Sequence, residues 1–372
     1  MAEIHAARRA AAQQKIAETG AGAALITSQP NVRYLSGLVS SNAAILLPAD
    51  GPGVLATDSR YAEAAERDCP DIEIATERQL EPALAILAAQ RGITTLGFEA
   101  QDMTVERHMA LVKLPDVPEL VPVGHLVEEL RMVKDETEIE LLTRACAITA
   151  DAFAAVLTAI EPGRTERSLA VLLERAMIDL GAEGLAFDTI VASGPNGAIP
   201  HHSPGGRRFL AGDLITIDCG ARFEGYHADM TRTVALGEPA GWQREIYGLV
   251  AAAQQAGVTA AVPGADIGAV DASARELIAA AGHAGHFGHG LGHGVGLEVH
   301  EAPLMGPGRT GRLADRVPVT VEPGVYLPGR GGVRIEDTLV VRAGSQSSAP
   351  AGAAAAGPAE VLTTTTKELL VL

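Results

Sequence analysis

Apolar positions in the first third of the chain come in short runs cut by turn residues. Gly22–Ile26 (GAALI), Ala43–Pro48 (AAILLP) and Gly53–Thr57 (GVLAT) have the length and boundaries of buried strands. Ser59–Asp68 and Leu80–Gly92 instead place apolar residues at helical spacing, the second run closed by Gly92 as a C-terminal cap. TTLGFEA (residues 94–100) reads as another strand. This alternation predicts one small α/β domain.

Prolines cluster in LPDVPELVP, Leu114–Pro122, and a linker is expected from there to Asp135. At Asp135 a helix is predicted to open with Glu138 three residues on, the spacing of a capping box, and Ile139, Leu142, Ala145 and Cys146 share one face. A second helix runs from Thr165 to Gly181. From Phe187 the pattern turns to β-runs broken by glycine: FDTIVASG, DLITIDCG and ADMTRTVAL. Two helices, Gln243–Ala256 and Ala265–Ala281, flank Pro263-Gly264; beyond Gly282 the chain is again glycine-rich and strand-like to about Val341. The low-complexity run Ala343–Glu360 lacks the apolar surface to order itself, and KELLVL is expected to return to the sheet. Two domains are expected, 1–125 with an α/β fold and 126–372 with an α+β fold whose helices are segregated from a mostly antiparallel sheet.

Composition removes some functions. With 46 acidic against 29 basic residues the net charge is −17, which repels nucleic acid and anionic membrane. Three scattered cysteines form no CxxC pair and read as thiols in a reducing compartment. The first twenty residues lack an apolar signal core, and no stretch reaches the roughly 18 uninterrupted apolar residues of a span. A cytoplasmic protein is the expectation.

The chemistry starts at HFGHGLGHGVGLEVH, residues 286–300. His289 and His293 stand four apart, as in a helical metal pair. Six glycines from Gly285 to Gly296 argue for extended or irregular backbone, because each costs about 1 kcal/mol in a helix interior. Glycine there lets backbones approach closely. Four carboxylates sit on or beside strands elsewhere: Asp218 and Asp229 across a hairpin, Glu322 after VTV, and Glu336 between Ile335 and an apolar run. Each alone reads more simply as a turn cap or a polar strand face. Together they would repel one another unless cations sit among them. Four carboxylates and one imidazole suit Mn²⁺ first, and also Co²⁺, Zn²⁺ or Fe²⁺, and suffice to bridge two ions.

The motifs FDTIVASGPNGAIPHHSP, GDLITIDCGARFEGYHADMTRT, GHGLGHGVGLEVHE, VTVEPGVYLPG and GGVRIEDT resemble those of the pita-bread metallopeptidases, within them the X-prolyl peptidases (aminopeptidase P and Xaa-Pro dipeptidase, or prolidase). NVRYLSG and TDSRY resemble the N-terminal domain of the X-prolyl branch. The resemblance implies a pita-bread catalytic domain behind a creatinase/prolidase-like α/β domain. It implies two divalent metal ions held by Asp218, Asp229, His293, Glu322 and Glu336, with Asp229 and Glu336 bridging and a bridging hydroxide as nucleophile. Glu322 would also act as general base and then general acid. His201 and His300 would hold the scissile carbonyl or oxyanion. His289, Tyr326 and Arg334 would lie near the substrate. His202, His283 and His286 receive no role. Proline-containing peptides would be the substrates and a homodimer the assembly. The aminopeptidase form is favoured on the absence of a long insertion that would cap the site; the alternative is a dipeptidase restricted to Xaa-Pro. Creatinase-like amidinohydrolases and non-catalytic pita-bread binding proteins lack the full ligand set, which stands intact here.

Overall fold

A computed structural model describes residues 2–343 and 357–372. Residues 344–356, most of the low-complexity run, lie outside the described residues. Two compact units divide between Arg131 and Met132.

The first unit is built on a mixed six-stranded sheet. Its order is Glu73–Thr76, Val54–Thr57, Ala43–Pro48, Ala23–Ile26, Thr95–Phe98 and Glu119–Pro122. Ala23–Ile26 pairs antiparallel with Ala43–Pro48 and parallel with Thr95–Phe98. Its apolar runs form a core with Leu80, Leu84, Ala85 and Ala88 of the helix Leu80–Gln90. The segment expected as a linker is not one. Glu119–Pro122 is an edge strand and Leu126–Met132 a helix. Prolines are tolerated on an edge strand because one side needs no ladder donor.

The second unit repeats one plan. Helices Glu136–Val156 and Glu166–Asp179 accompany the antiparallel sheet Met230–Ala235, Leu214–Cys219, Ile190–Ser193. Helices Gly241–Ala260 and Ile267–Ile278 accompany the antiparallel sheet Glu301–Met305, Gly292–Gly294, Pro318–Val321, Asp337–Val340, Glu360–Val361. Each half has its own apolar core. The capping box at Asp135 and Glu138 is formed, each side chain meeting the other's backbone N–H at 2.9 Å. The helical segment Glu136–Ala159 is long and apolar enough to cross a membrane by length and composition. Its apolar residues Ile148, Ala152, Phe153 and Val156 are instead spent on the core of the first half.

The histidine-rich stretch is not a helix. His293 sits in the short strand Gly292–Gly294, with a register shift after it. A Cβ on Gly292 would run into the Thr320 carbonyl and one on Gly294 into that of Ala302, so glycine here is the condition for adjacent strands to approach.

Candidate metal centre

Asp218 is the penultimate residue of the strand Leu214–Cys219 and stands opposite Thr231 of its neighbour. Asp229 directly precedes the strand Met230–Ala235. The other half supplies His293, Glu322 (just past Pro318–Val321) and Glu336. Glu336 was expected within a strand; it occupies the step between Gly331–Arg334 and Asp337–Val340, where its N–H bonds the Thr231 carbonyl at 3.1 Å.

Ligand atoms of Asp229, His293 and Glu336 all lie within 4.8 Å of one another. His293 Nε2 is 3.6 Å from Asp229 and 3.4 Å from Glu322. Its Nδ1 is 3.0 Å from the Gly294 carbonyl, so Nδ1–H donates there and the Nε2 lone pair faces the carboxylates. Asp218 is pulled the other way, its Oδ2 accepting from Arg334 Nη2 at 2.7 Å. Among the described residues its Oδ1 is buried without a hydrogen-bond partner.

Burial first, and then the neighbouring negative charges, push Asp229 and Glu336 well above the usual carboxylate range. Glu322 rises to about 8, again through burial first, with Asp218 adding to it. Burial also lowers His293 to about 4, keeping it neutral and able to ligate. Buried acids with convergent oxygens, one orphaned oxygen and a neutral imidazole lone pair among them are a donor set that divalent cations would satisfy. The residues fit the metal.

A cavity of about 570 Å³ opens on this cluster, and His201, His289, His300 and Arg334 line it with all five acidic and imidazole ligands. The His300 ring stands edge-on to His293, centroids 4.4 Å apart. His289 Nε2 lies 2.8 Å from the Tyr326 hydroxyl, which accepts from Arg334 Nη1 at 3.0 Å. A polar chain thus runs from His289 through Tyr326 and Arg334 to Asp218. Burial lowers His289 to about 4 and raises Tyr326 to about 12.

Sequence reasoning missed three supports. Thr231 donates to Glu336 at 2.7 Å and accepts from Arg334 Nε at 3.1 Å; alternation from Asp229 put it on the same strand face. Glu166, fully buried, accepts from Ser193 N–H, Ser193 Oγ, Asn196 and the Gly205 N–H, and meets His202 Nε2 at 2.8 Å, gathering the loop that carries His201. Apolar Phe187, Ile190, Leu304 and Met305 complete the cavity wall. His283 and His286 face each other at 3.1 Å, outside that wall.

Fold and site together define a metal-dependent hydrolase. Residues 140–343 match the model of metallopeptidase family M24, and residues 8–133 that of the creatinase/prolidase N-terminal domain. An Xaa-Pro dipeptidase of Pyrococcus horikoshii is 37% identical over 86% of this chain and 90% of its own length. The solved Xaa-Pro dipeptidase from Bacillus anthracis superposes with a TM-score of 0.92 at 34% identity, covering 99% of this chain and all of the other. The X-Pro aminopeptidase from Thermotoga maritima gives 0.86 at 35% identity, over 96% and 98% of the two chains. The chain belongs to metallopeptidase family M24 and carries its pita-bread catalytic fold.

Proposed function

We propose that the protein is an Xaa-Pro dipeptidase: it hydrolyses the bond before proline in dipeptides, through two divalent cations held by Asp218, Asp229, His293, Glu322 and Glu336. This reverses the order favoured from sequence, where the aminopeptidase form came first. Two of the three similar proteins above are named dipeptidases.

The observation that carries the reading is Arg309 in the cavity wall. A dipeptide places its free carboxylate one residue from the scissile bond, and that charge needs a cation away from the metal ligands. Arg334 is spent on Asp218 and Tyr326. Arg309 lines the same cavity, and among the described residues no carboxylate lies within ion-pair distance of its guanidinium.

The cations, when bound, lower the pKa of water towards about 7 and polarise the scissile carbonyl. The chain's own residues do the rest. Glu322 takes the proton of the attacking water and delivers it to the proline nitrogen as the C–N bond breaks, so the leaving group departs as a neutral secondary amine. His201 and His300 face the carbonyl oxygen and stabilise the charge that develops there. The chain from His289 to Asp218 fixes the imidazole that His289 contributes to the cavity wall. The donor set favours Mn²⁺, with Co²⁺, Zn²⁺ and Fe²⁺ next.

The test compares Ala-Pro with its C-terminal amide, in the parent and in Arg309→Ala. The parent is expected to prefer the free acid strongly, and the variant to lose that preference by a rise in KM. Equal rates on acid and amide in the parent would favour the aminopeptidase form instead.

A further inference from the structure

Arg232 lies in the middle of Met230–Ala235, a strand buried along its whole length. An arginine has five N–H groups, and here every one is engaged. Nε donates to the Thr366 carbonyl at 3.0 Å; Nη1 to the carbonyls of Thr231 and Glu336; Nη2 to Asp337 and the Thr365 carbonyl, both at 2.7 Å. One side chain therefore ties the Asp229 strand to the backbone of Glu336 and to the segment Thr363–Leu372.

Asp337 is the second knot. Its carboxylate is fully buried and accepts from Arg232, from Thr363 Oγ1 at 2.8 Å and from Gln254 Nε2 at 2.9 Å, with Lys367 Nζ at 2.8 Å. The segment then returns along the other strand. Ala235 N–H donates to the Leu370 carbonyl and Leu372 N–H to that of Ala235, both at 2.9 Å, and Gly237 N–H donates to the Leu372 carbonyl at 2.7 Å. Asp229 stands one residue before the first laced strand and Glu336 one residue before the second.

A buried ion pair seldom adds net stability over an apolar filling of the same volume; what it specifies well is geometry. Apolar residues would have packed these two strands. They would not have caught the Glu336 carbonyl from the neighbouring strand while fixing the residue beyond it. We propose that Arg232 and Asp337, locked by the segment Thr363–Leu372, are positioning residues that set the separation of Asp229 and Glu336, so that this distal segment is part of the metal centre. The inference rests on the reading of Asp229 and Glu336 as metal-bridging ligands.

The test is calorimetric titration of metal-free protein with Mn²⁺, alongside the Tm of the same metal-free samples. Arg232→Lys keeps the charge and loses the planar fork. It is expected to weaken Mn²⁺ binding by about 10- to 100-fold, the usual cost of losing a residue that orients a ligand, with turnover recovering in excess Mn²⁺. A purely structural role would lower the metal-free Tm and leave affinity at the parent value, and that result overturns the proposal. Should Arg232→Lys not fold, Thr363→Val and Lys367→Met are read in the same titration; parent-like affinity in both overturns it equally. A parent protein that binds no divalent cation would instead remove the metal reading itself, a distinct outcome.

Discussion

Replacing Thr231 by valine keeps volume and β-branching and deletes one hydroxyl. That hydroxyl donates to Glu336 at 2.7 Å and accepts from Arg334 Nε at 3.1 Å. Thr231 and Glu336 are 0% and 1% exposed, so water cannot replace the lost bond. A hydrogen bond to a charged group contributes about 1.5–3 kcal/mol. The effect should fall mainly on the metal-bound state. Without metal Glu336 is driven towards its protonated form by burial and neighbouring charge; with metal it is ionised, and the hydroxyl bond becomes charge-assisted. At about 1.4 kcal/mol per tenfold, Thr231→Val should weaken metal affinity by about 10- to 100-fold. Circular dichroism should stay unchanged, and the metal-free Tm should drop modestly through the orphaned Arg334 Nε. Isothermal titration with Mn²⁺, checked by metal analysis after dialysis, reads the affinity. A variant within twofold of the parent would refute the idea that Thr231 orients Glu336.

Asp229→Ala or Glu336→Ala should abolish stoichiometric metal and activity together; a variant that retained full metal content by mass spectrometry and full turnover would remove that residue from the centre. His300→Ala should keep its metal and lose rate, since among the described residues it is His293, not the neighbouring His300, whose ring nitrogen pairs with the carboxylates; loss of metal would make it a ligand. In the first unit, burial lifts Glu99 to about 7 even though the Thr27 and Ser28 N–H groups and Asn31 donate to it. Its folded pKa lies above the unfolded value of 4.5, so between those values the folded state holds the extra proton. Its contribution to stability is then greatest below about pH 4.5 and falls as pH rises to about 7, by about 3 kcal/mol. The difference in Tm between parent and Glu99→Gln, followed from pH 5 to 8, should trace that slope, and a pH-independent difference would contradict it.

The strands of the first unit were legible because a buried strand is a short, bounded apolar run: Ala43–Pro48 begins and ends where the pattern does. The helix at Asp135 was legible because a capping box is local chemistry. Glu119–Pro122 was not, since the prolines in and before it carry a turn signature and only pairing with Thr95–Phe98 makes it a strand. At the site, residue types and order indicated which acids could converge. What sequence could not supply was the register that sets Thr231 opposite Asp218, or the return of residues 363–372 onto Arg232. The first depends on how the turn between two neighbouring strands closes, and the second on contacts more than a hundred residues apart, which no local spacing encodes. The proposed role of Arg309 in a preference for dipeptides was equally hidden, because that residue acquires meaning only once it is seen in the same wall as His201 and Glu322.

The most direct measurement is hydrolysis of Ala-Pro and Ala-Pro-Ala side by side by Mn²⁺-loaded protein, each with a chelator control. Cleavage of Ala-Pro, abolished by chelator, with Ala-Pro-Ala left largely intact, is the predicted result. Release of alanine from the tripeptide at a comparable or higher rate would contradict the dipeptidase reading, and cleavage that survives removal of the metal would contradict the account of the site itself.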